Sequence, residues 1–468
     1  VGFAEDHLIP LVDEGLGNSA YLVDLGDGRA LAVDASRDLR AFRAAAGRRG
    51  LRVAYAADTH LHADFLSGAV QLARDTGASV LASAAGERGF PHRGLVDGDE
   101  VDLGGLRLRA LATPGHTDEH LSFLLLDDGR ELGVFTGGSL IVGSAARTDL
   151  VGAERTEELA RAQYRSLRRL ATLPDEVAVW PTHGAGSFCS APPGAERTTT
   201  IGAEKRANAL LAAPDEDAFV RELVSSLGSY PTYFARLTEA NRRGPAVLTG
   251  TPPLPALNAK RVQALLADGG QVVDVRPAAE FAAGHIPGAL SIPLRDQFAT
   301  WLGWLLPDTV ALAFVVGDGQ DLDEVIWQAL KIGYEQLAGH LAGGMPAWLA
   351  AGHPQASTAF VTAGQASDGP YLDVRQEAEY AAGHVPGALN LELGDLARHA
   401  AGAPAGAVVA CGHGERAVTA ASLLERAGNT GVSVLDGGPS EYAAAHGLRL
   451  DTGAAGTVDA GTADGGAR

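Results

Sequence analysis

The sequence predicts an α/β multidomain protein. Short apolar runs of strand length alternate with amphipathic stretches along most of the chain. A block of about 100 residues occurs twice in the C-terminal half. Between that half and what precedes it lies a proline-rich joint, Thr251-Pro252-Pro253-Leu254-Pro255, the best domain boundary in the chain.

Bulk properties remove several function classes. A net charge of −20 and a pI near 5.1 leave nothing basic clustered to neutralise phosphates, so neither nucleic acid nor an anionic membrane surface is an expected partner. No run of about 18 apolar residues offers a membrane span. The first residues lack a charged segment followed by an apolar stretch, so no signal peptide is read there, although a chain that starts at Val1 leaves room for a removed leader. The two cysteines, Cys189 and Cys411, cannot build a disulfide framework, which points to a reducing compartment and a cytoplasmic location.

In chain order, Tyr21 to Asp34 is two apolar runs around Gly26-Asp27-Gly28, a β-hairpin signal. Arg37 to Ala46 reads as a helix and Arg52 to Ala57 as a strand. Directly after that strand comes Asp58-Thr59-His60-Leu61-His62-Ala63-Asp64-Phe65. Alternate side chains of an extended segment share a face, so His60, His62 and Asp64 can converge as metal ligands. Thr113-Pro114-Gly115-His116-Thr117 and Trp180-Pro181-Thr182-His183-Gly184 each put a further histidine on a turn after an apolar run, where several strand ends can meet at one sheet edge. From 153 to 245 the pattern turns helical, with helices expected over Thr156 to Leu173, Glu204 to Leu211 and Ala218 to Leu227.

The order His-x-His-x-Asp, Pro-Gly-His-Thr, Phe135-Thr136-Gly137 and His183-Gly-Ala-Gly-Ser resembles the metallo-β-lactamase superfamily, nearest to its persulfide dioxygenase branch, with glyoxalase II a near relative. The resemblance covers about residues 3 to 240 and implies an αββα sandwich of two mixed sheets flanked by helices. It also implies one iron, held by the first histidine (His60), the Pro-Gly-His histidine (His116) and an aspartate after Phe-Thr-Gly. By the same resemblance Arg147 and Asp149 lie near the carrier of the substrate thiol. The sequence departs from the family twice: Gly138 stands where the aspartate belongs, and Phe65 stands where a histidine usually follows Asp64. The first change removes the anionic ligand and speaks against a two-metal hydrolase. What survives is a mononuclear site of His60, His116 and His62, with Asp64 and His183 as substitute or outer ligands. Fe(II) is the metal the resemblance favours. Zinc suits three neutral imidazoles, and a degenerate domain without metal is the remaining alternative.

The repeat is explicit. Val273-Asp274-Val275-Arg276 returns as Leu372-Asp373-Val374-Arg375, and Gly284-His285-Ile286-Pro287-Gly288-Ala289-Leu290 returns as Gly383-His384-Val385-Pro386-Gly387-Ala388-Leu389. Gly343-Gly344 before Trp348 returns as Gly437-Gly438 before Tyr442. These motifs resemble rhodanese domains, small α/β units with a parallel sheet, whose active loop is a cysteine plus five residues after a central strand. In the second copy the strand Ala407 to Ala410 leads into Cys411-Gly412-His413-Gly414-Glu415-Arg416, and Ala417 to Ala427 reads as a helix. A cysteine on such a loop meets converging backbone N–H groups and a helix N-terminus, both of which favour the nucleophilic thiolate, with Arg416 adding fixed positive charge. Cys411 and Arg416 are therefore the candidate catalytic residues, and Gly412, His413, Gly414 and Glu415 the candidate substrate-binding loop. In the first copy the strand Val310 to Val316 runs into Gly317-Asp318-Gly319-Gln320-Asp321-Leu322, acidic and without cysteine, so that copy is expected to be catalytically dead: a spacer, a docking surface or a dimer contact.

The expected layout is an αββα metallo-β-lactamase sandwich over 1–250, an inactive rhodanese-like domain over 256–355, a rhodanese domain with Cys411 over 357–450, and a disordered tail from Asp451 to Arg468. Cys189, beside Phe188, reads as packing. The favoured function is sulfur metabolism: oxidation of a low-molecular-weight persulfide, such as glutathione persulfide, at the first domain and sulfur transfer at Cys411. The alternatives are sulfur transfer alone, a mononuclear thioester hydrolase of glyoxalase II type, and a non-enzymatic sulfur sensor. Expected partners are small-molecule thiols and persulfides, with a homodimer left open.

Overall fold

The computed structural model describes residues 3–190 and 196–454. They form two compact units: the described residues up to 256 with 294–312 and 319–339, and residues 257–293 with 313–318 and 340–454. The first rhodanese-like copy thus contributes segments to both.

The first unit is built on two six-stranded sheets. One runs Leu8–Asp13, Asn18–Asp24, Arg29–Val33, Arg52–Ala57, Ser79–Ser83, Arg93–Leu95, antiparallel over its first three strands and parallel thereafter. The other runs Thr199–Thr200, Ala178–Pro181, Arg130–Gly137, Leu121–Asp127, Leu106–Ala112, Glu100–Asp102. It is antiparallel except where Arg130–Gly137 pairs with Ala178–Pro181. Period-two alternation turns Tyr21, Val23, Leu31 and Val33 of one sheet toward Phe123, Leu125, Phe135 and Trp180 of the other, and these pack as one core. The remaining faces are closed by helices: Phe42, Ala45 and Leu72 on one side, Ala160, Leu167, Phe219 and Leu223 on the other. This is the αββα sandwich.

Local chemistry sets the helix bounds. Asp215 caps Glu216–Ser225 through the N–H of Ala218, and Thr200 caps Ile201–Ala207 through that of Ala203. The helix expected over Glu204 to Leu211 starts earlier and stops at Ala207. Asn208 turns extended there, and its amide is drawn to the Ser144 carbonyl and the Glu204 carboxylate.

Two helices of the first copy, Phe298–Leu305 and Leu322–Leu330, pack in this unit. The carbonyl of Lys331 accepts from the N–H of Leu66 at 2.7 Å, and Trp304 meets Phe188 edge-on at 5.2 Å. Arg37, 2% exposed, pairs with Glu335 at 2.6 Å and donates to the carbonyls of Leu330 and Ala246.

In the second copy five parallel strands follow the order Ala359–Thr362, Ser433–Asp436, Val408–Ala410, Tyr371–Asp373, Leu389–Asn390. The first copy repeats that order with Ala256–Leu257, Leu337–Leu341, Leu312–Val315, Gln271–Asp274 and Leu290–Ser291. The shared motifs are staples. Arg276 grips Asp274 at 2.6 Å and the Gly284 carbonyl at 2.8 Å, while Arg375 does the same to Asp373 and Gly383, both at 2.7 Å. The tail departs from expectation at its start: Asp451 exchanges both backbone hydrogen bonds with His384, and Gly453 donates to the Ala381 carbonyl. The rest of the expected disordered segment, 455–468, lies outside the described residues.

Removing the Arg37 guanidinium takes its donor from the Ala246 carbonyl and leaves the Leu330 carbonyl to the Gly333 N–H alone. Arg37→Met is expected to cost about 2–4 kcal/mol in unfolding free energy. An unchanged urea midpoint and slope would show that the buried guanidinium does not hold these segments.

Candidate functional site

The histidines sit where the strands end. The strand Arg52–Ala57 delivers the loop 58–68, Leu106–Ala112 delivers His116, Arg130–Gly137 delivers Gly138, and Ala178–Pro181 delivers His183. The frame beneath them is acidic. Asp34, fully buried and left-handed at φ 52°, accepts from the Thr59 N–H at 2.7 Å, the Thr59 hydroxyl at 2.8 Å and the Thr182 hydroxyl. Asp58 accepts from Ser67 at 2.9 Å and pairs with Arg88 at 3.1 Å.

These contacts decide which nitrogen of each imidazole carries the proton. Thr59 gives its own proton to Asp34, so its oxygen takes the Nδ1–H of His60 at 2.9 Å. His116 donates from Nδ1 to the carbonyl of Arg147 at 2.7 Å, and His183 from Nδ1 to Asn18 Oδ1 at 2.9 Å. Asn18 holds that orientation because its Nδ2 donates to Asp64 at 2.6 Å. Each Nε2 is thereby left as a bare lone pair. Nε2 of His60 and of His183 face each other at 3.3 Å, and Nε2 of His116 is buried without a partner among the described residues. The ligand atoms of His60, His116 and His183 lie within 4.8 Å of one another. Burial, reinforced by the neighbouring imidazoles, holds His60 well below the usual histidine range, and burial takes His116 and His183 down to about 3. All three are neutral donors at neutral pH.

The donor set fits one metal ion on three imidazoles, with no carboxylate in the group. The third member is His183. His62, the third ligand expected from sequence, faces elsewhere: its Nε2 lies 3.2 Å from Asp34 and its ring stacks on Phe65 at 4.2 Å. Burial lowers its pKa, but Asp34, Asp58 and Asp64 together raise it above the ordinary value, so it tends to hold a proton. Asp64 bonds Asn18 and belongs to an adjacent group with His62 and His183. Gly138 does more than omit a carboxylate. A Cβ built there would fall 2.4 Å from the His116 ring, which fills the space a side chain would need.

The Arg147 guanidinium, expected near the substrate's carrier, is buried and spent on Asp149 at 2.7 Å and on the carbonyls of Phe188 and Gly228, with Tyr230 over its face at 4.3 Å. Its backbone carbonyl is what the site uses. Sequence reading also passed over His120, which stacks on His60 at 5.1 Å and accepts from the Gly138 N–H at 3.0 Å. Its one signal was its place four residues after His116, before an apolar run. Cys189 is buried, with its thiol pushed well up by burial and by Asp64, and its carbonyl accepts from Arg147 N–H, as packing predicts.

In the second unit, Cys411 ends the strand Val408–Ala410 and the helix Glu415–Arg426 begins four residues later. Gly414, at φ 98°, aims its N–H at Cys411 Sγ, 3.1 Å away. Gly438 lets the late Gly-Gly turn approach the loop, since a Cβ there would lie 2.8 Å from the Gly412 carbonyl. The cup is narrower than expected. Cys411 is 1% exposed, His413 points outward, and Arg416 is clamped by Glu379 at 2.6 and 2.8 Å. Burial opposes ionisation of Glu379, but Arg416 holds its carboxyl below the ordinary range. Glu415 opens the helix beside the loop.

Fold and sites together define a metallo-β-lactamase-fold protein with a histidine-lined centre, joined to two rhodanese-like domains of which one carries a cysteine loop. The family models agree: the metallo-beta-lactamase superfamily matches residues 13–183, and the rhodanese-like domain matches 258–351 and 361–445. The chain belongs to the metallo-β-lactamase superfamily, as a fusion with rhodanese-like domains.

A solved metallo-beta-lactamase from Staphylococcus aureus is similar at 30% identity and TM-score 0.64, covering 71% of this chain and 98% of its own. Among curated relatives, a hydroxyacylglutathione hydrolase of Methylococcus capsulatus is 33% identical over 37% of this chain and 64% of its own length. The mitochondrial persulfide dioxygenase of Homo sapiens is 32% identical over 32% and 56%. The chain thus spans less than two thirds of these curated relatives. No helix among the described residues is long and apolar enough to cross a membrane.

The geometry separates the two candidates for third ligand. After reconstitution with zinc or iron, His183→Ala is expected to keep less than about a tenth of the bound metal, and His62→Ala most of it. Elemental analysis of the purified variants reads this directly, and the reverse order would return His62 to the ligand set. Gly138→Ala, which adds only a methyl, should displace the His116 ring and also lower metal content.

Proposed function

We propose that this chain is an enzyme of sulfur metabolism acting on low-molecular-weight persulfides, with a sulfurtransferase centre at Cys411 and a persulfide dioxygenase-like first domain. The observation that carries the reading is the sulfur of Cys411 at the start of a twelve-residue helix, taking an N–H from Gly414 beside the Arg416 guanidinium.

The Cys411 thiolate attacks the outer sulfur of a persulfide or thiosulfate. A new S–S bond forms at Sγ, the donor's S–S bond breaks, and its electron pair leaves with the departing thiolate or sulfite. An acceptor thiolate then attacks the outer sulfur now on Cys411 and regenerates the Cys411 thiolate. The Gly414 N–H and the helix N-terminus stabilise negative charge on sulfur, and Glu379 fixes Arg416 at the loop.

At the first domain, His60, His116 and His183 would hold the metal. A metal bound there supplies Lewis acidity, and iron also supplies the redox capacity to combine dioxygen with sulfur. Thr59, Asn18 and the Arg147 carbonyl orient these ligands, and their burial excludes bulk water. Two other readings keep a specific support. Gly138 favours sulfur transfer alone, because the family's anionic ligand is missing. The hydroxyacylglutathione hydrolase likeness favours a mononuclear thioesterase.

Cys411→Ser should abolish sulfur transfer from thiosulfate or glutathione persulfide to cyanide or thiol, while His60→Ala leaves that transfer intact. Transfer that survives Cys411→Ser removes the proposed role. Iron-loaded protein is expected to consume O₂ with glutathione persulfide, and His60→Ala is not. Iron-loaded protein without uptake would leave sulfur transfer as the function.

A further inference from the structure

The cysteine loop of the second rhodanese-like copy, Cys411 to Arg416, has one arginine and no lysine, and that arginine is already paired. Arg416 gives an N–H from each of its terminal nitrogens to Glu379, at 2.6 and 2.8 Å. Its Nη2 lies close to the loop, 3.8 Å from where a Cβ on Gly412 would stand. A guanidinium has five N–H groups, so Arg416 can still donate hydrogen bonds to a molecule entering the loop. What Glu379 takes from it is net charge.

The neighbouring groups do not restore that charge. Arg375 is spent on Asp373 at 2.7 Å. Glu415 stands next to Arg416 at the start of the helix Glu415–Arg426. The Glu441 carboxylate accepts from the N–H of Gly438, the residue that approaches the Gly412 carbonyl, at 3.0 Å. Three carboxylates therefore stand around the loop against one guanidinium.

The fold does not require the clamp. In the first copy Glu280 precedes Gly284-His285 as Glu379 precedes Gly383-His384. Glu280 is exposed, and Leu322 holds the sixth loop position where the second copy has Arg416. The first copy keeps the same strand order without the pair. The bond between Glu379 and Arg416 goes with the sulfur, not with the sheet.

We propose that Glu379 is a positioning residue that sets which sulfur donors Cys411 accepts: by holding and neutralising Arg416 it disfavours thiosulfate and favours persulfides of uncharged carriers. This rests on the reading of Cys411 as a sulfurtransferase centre. With thiosulfate, the Cys411 thiolate bonds to the outer sulfur, the donor's S–S bond breaks and its electron pair leaves on sulfite, so a thiolate and a dianion have to meet in the loop. With 2-hydroxyethyl persulfide the same bond forms, the pair leaves on the sulfur of 2-mercaptoethanol, and the donor brings at most one negative charge. An unpaired Arg416 would offset the extra charge of thiosulfate, and a clamped one does not.

The test is sulfur transfer to cyanide by the full chain, with thiosulfate and with 2-hydroxyethyl persulfide as donors, read as the ratio of their kcat/KM values. The ratio cancels any change in the thiolate fraction of Cys411, which acts on both donors alike. Glu379→Gln keeps the side chain's shape and removes its charge. The thiosulfate-to-persulfide ratio is expected to rise about tenfold at low salt and by much less in about 0.5 M salt. Glu379→Asp keeps the carboxylate and should hold the ratio within about threefold of the unsubstituted chain. Arg416→Gln leaves Glu379 unpaired at the loop and should lower the ratio. Cooperative thermal unfolding checks that each variant is folded. An unchanged ratio in folded Glu379→Gln, a rise that salt does not reduce, or an equal rise in Glu379→Asp would each overturn the proposal and leave sulfur transfer at Cys411 standing. Transfer from neither donor by the unsubstituted chain would overturn both.

Discussion

Much of the first domain's site depends on where three protons sit. His60, His116 and His183 each spend Nδ1–H on an oxygen that can only accept: a threonine hydroxyl whose own proton is taken, a main-chain carbonyl, and an amide oxygen. The remaining lone pairs must then point inward. Burial makes this binding, because a protonated imidazole inside a cluster of imidazoles loses both its hydration and its neighbours' tolerance. Asp34 anchors the arrangement. It is strained into a left-handed conformation at a strand end, and it holds Thr59 and Thr182, which flank two of the three histidines.

The same constraint explains the two family positions that changed. Once the carboxylate at 138 is gone, the His116 ring occupies its space, and a third donor has to come from another strand end. Phe65, in place of a histidine, stacks on His62 and leaves that ring to Asp34. The result is a neutral centre with carboxylates one layer out. The helices Phe298–Leu305 and Leu322–Leu330 support this layer from outside, since Leu66 N–H is held by the Lys331 carbonyl and Trp304 bears on Phe188.

The two rhodanese-like copies show how one strand order serves two ends. Both turn from a central strand into a helix. In the first copy Asp321 caps the helix Leu322–Leu330, taking the N–H of Asp323 at 2.9 Å with a carboxylate. In the second, Gly414 precedes the helix and has no side chain, so the sulfur of Cys411 takes an N–H at the helix start. One copy fills its anion-favouring end with its own side chain, and the other leaves it to the sulfur of Cys411.

By itself the sequence determined what short-range physics encodes. Alternation and apolar runs placed the strand Arg52–Ala57 and the hairpin around Gly26-Asp27-Gly28, and the repeated Asp-x-Arg and Gly-His motifs announced two like domains because each is a local staple closed within about ten residues. His60 and His116 were legible because glycine, proline and histidine after an apolar run mark a strand-end turn. Tertiary structure alone decided that His183 rather than His62 joins them, that Arg147 serves through its carbonyl, and that His120 stacks behind His60. Those outcomes depend on which hydrogen-bond acceptor stands opposite each ring, and the acceptors come from residues such as Asn18, 165 positions away from His183 in the chain. No local pattern carries a contact of that span.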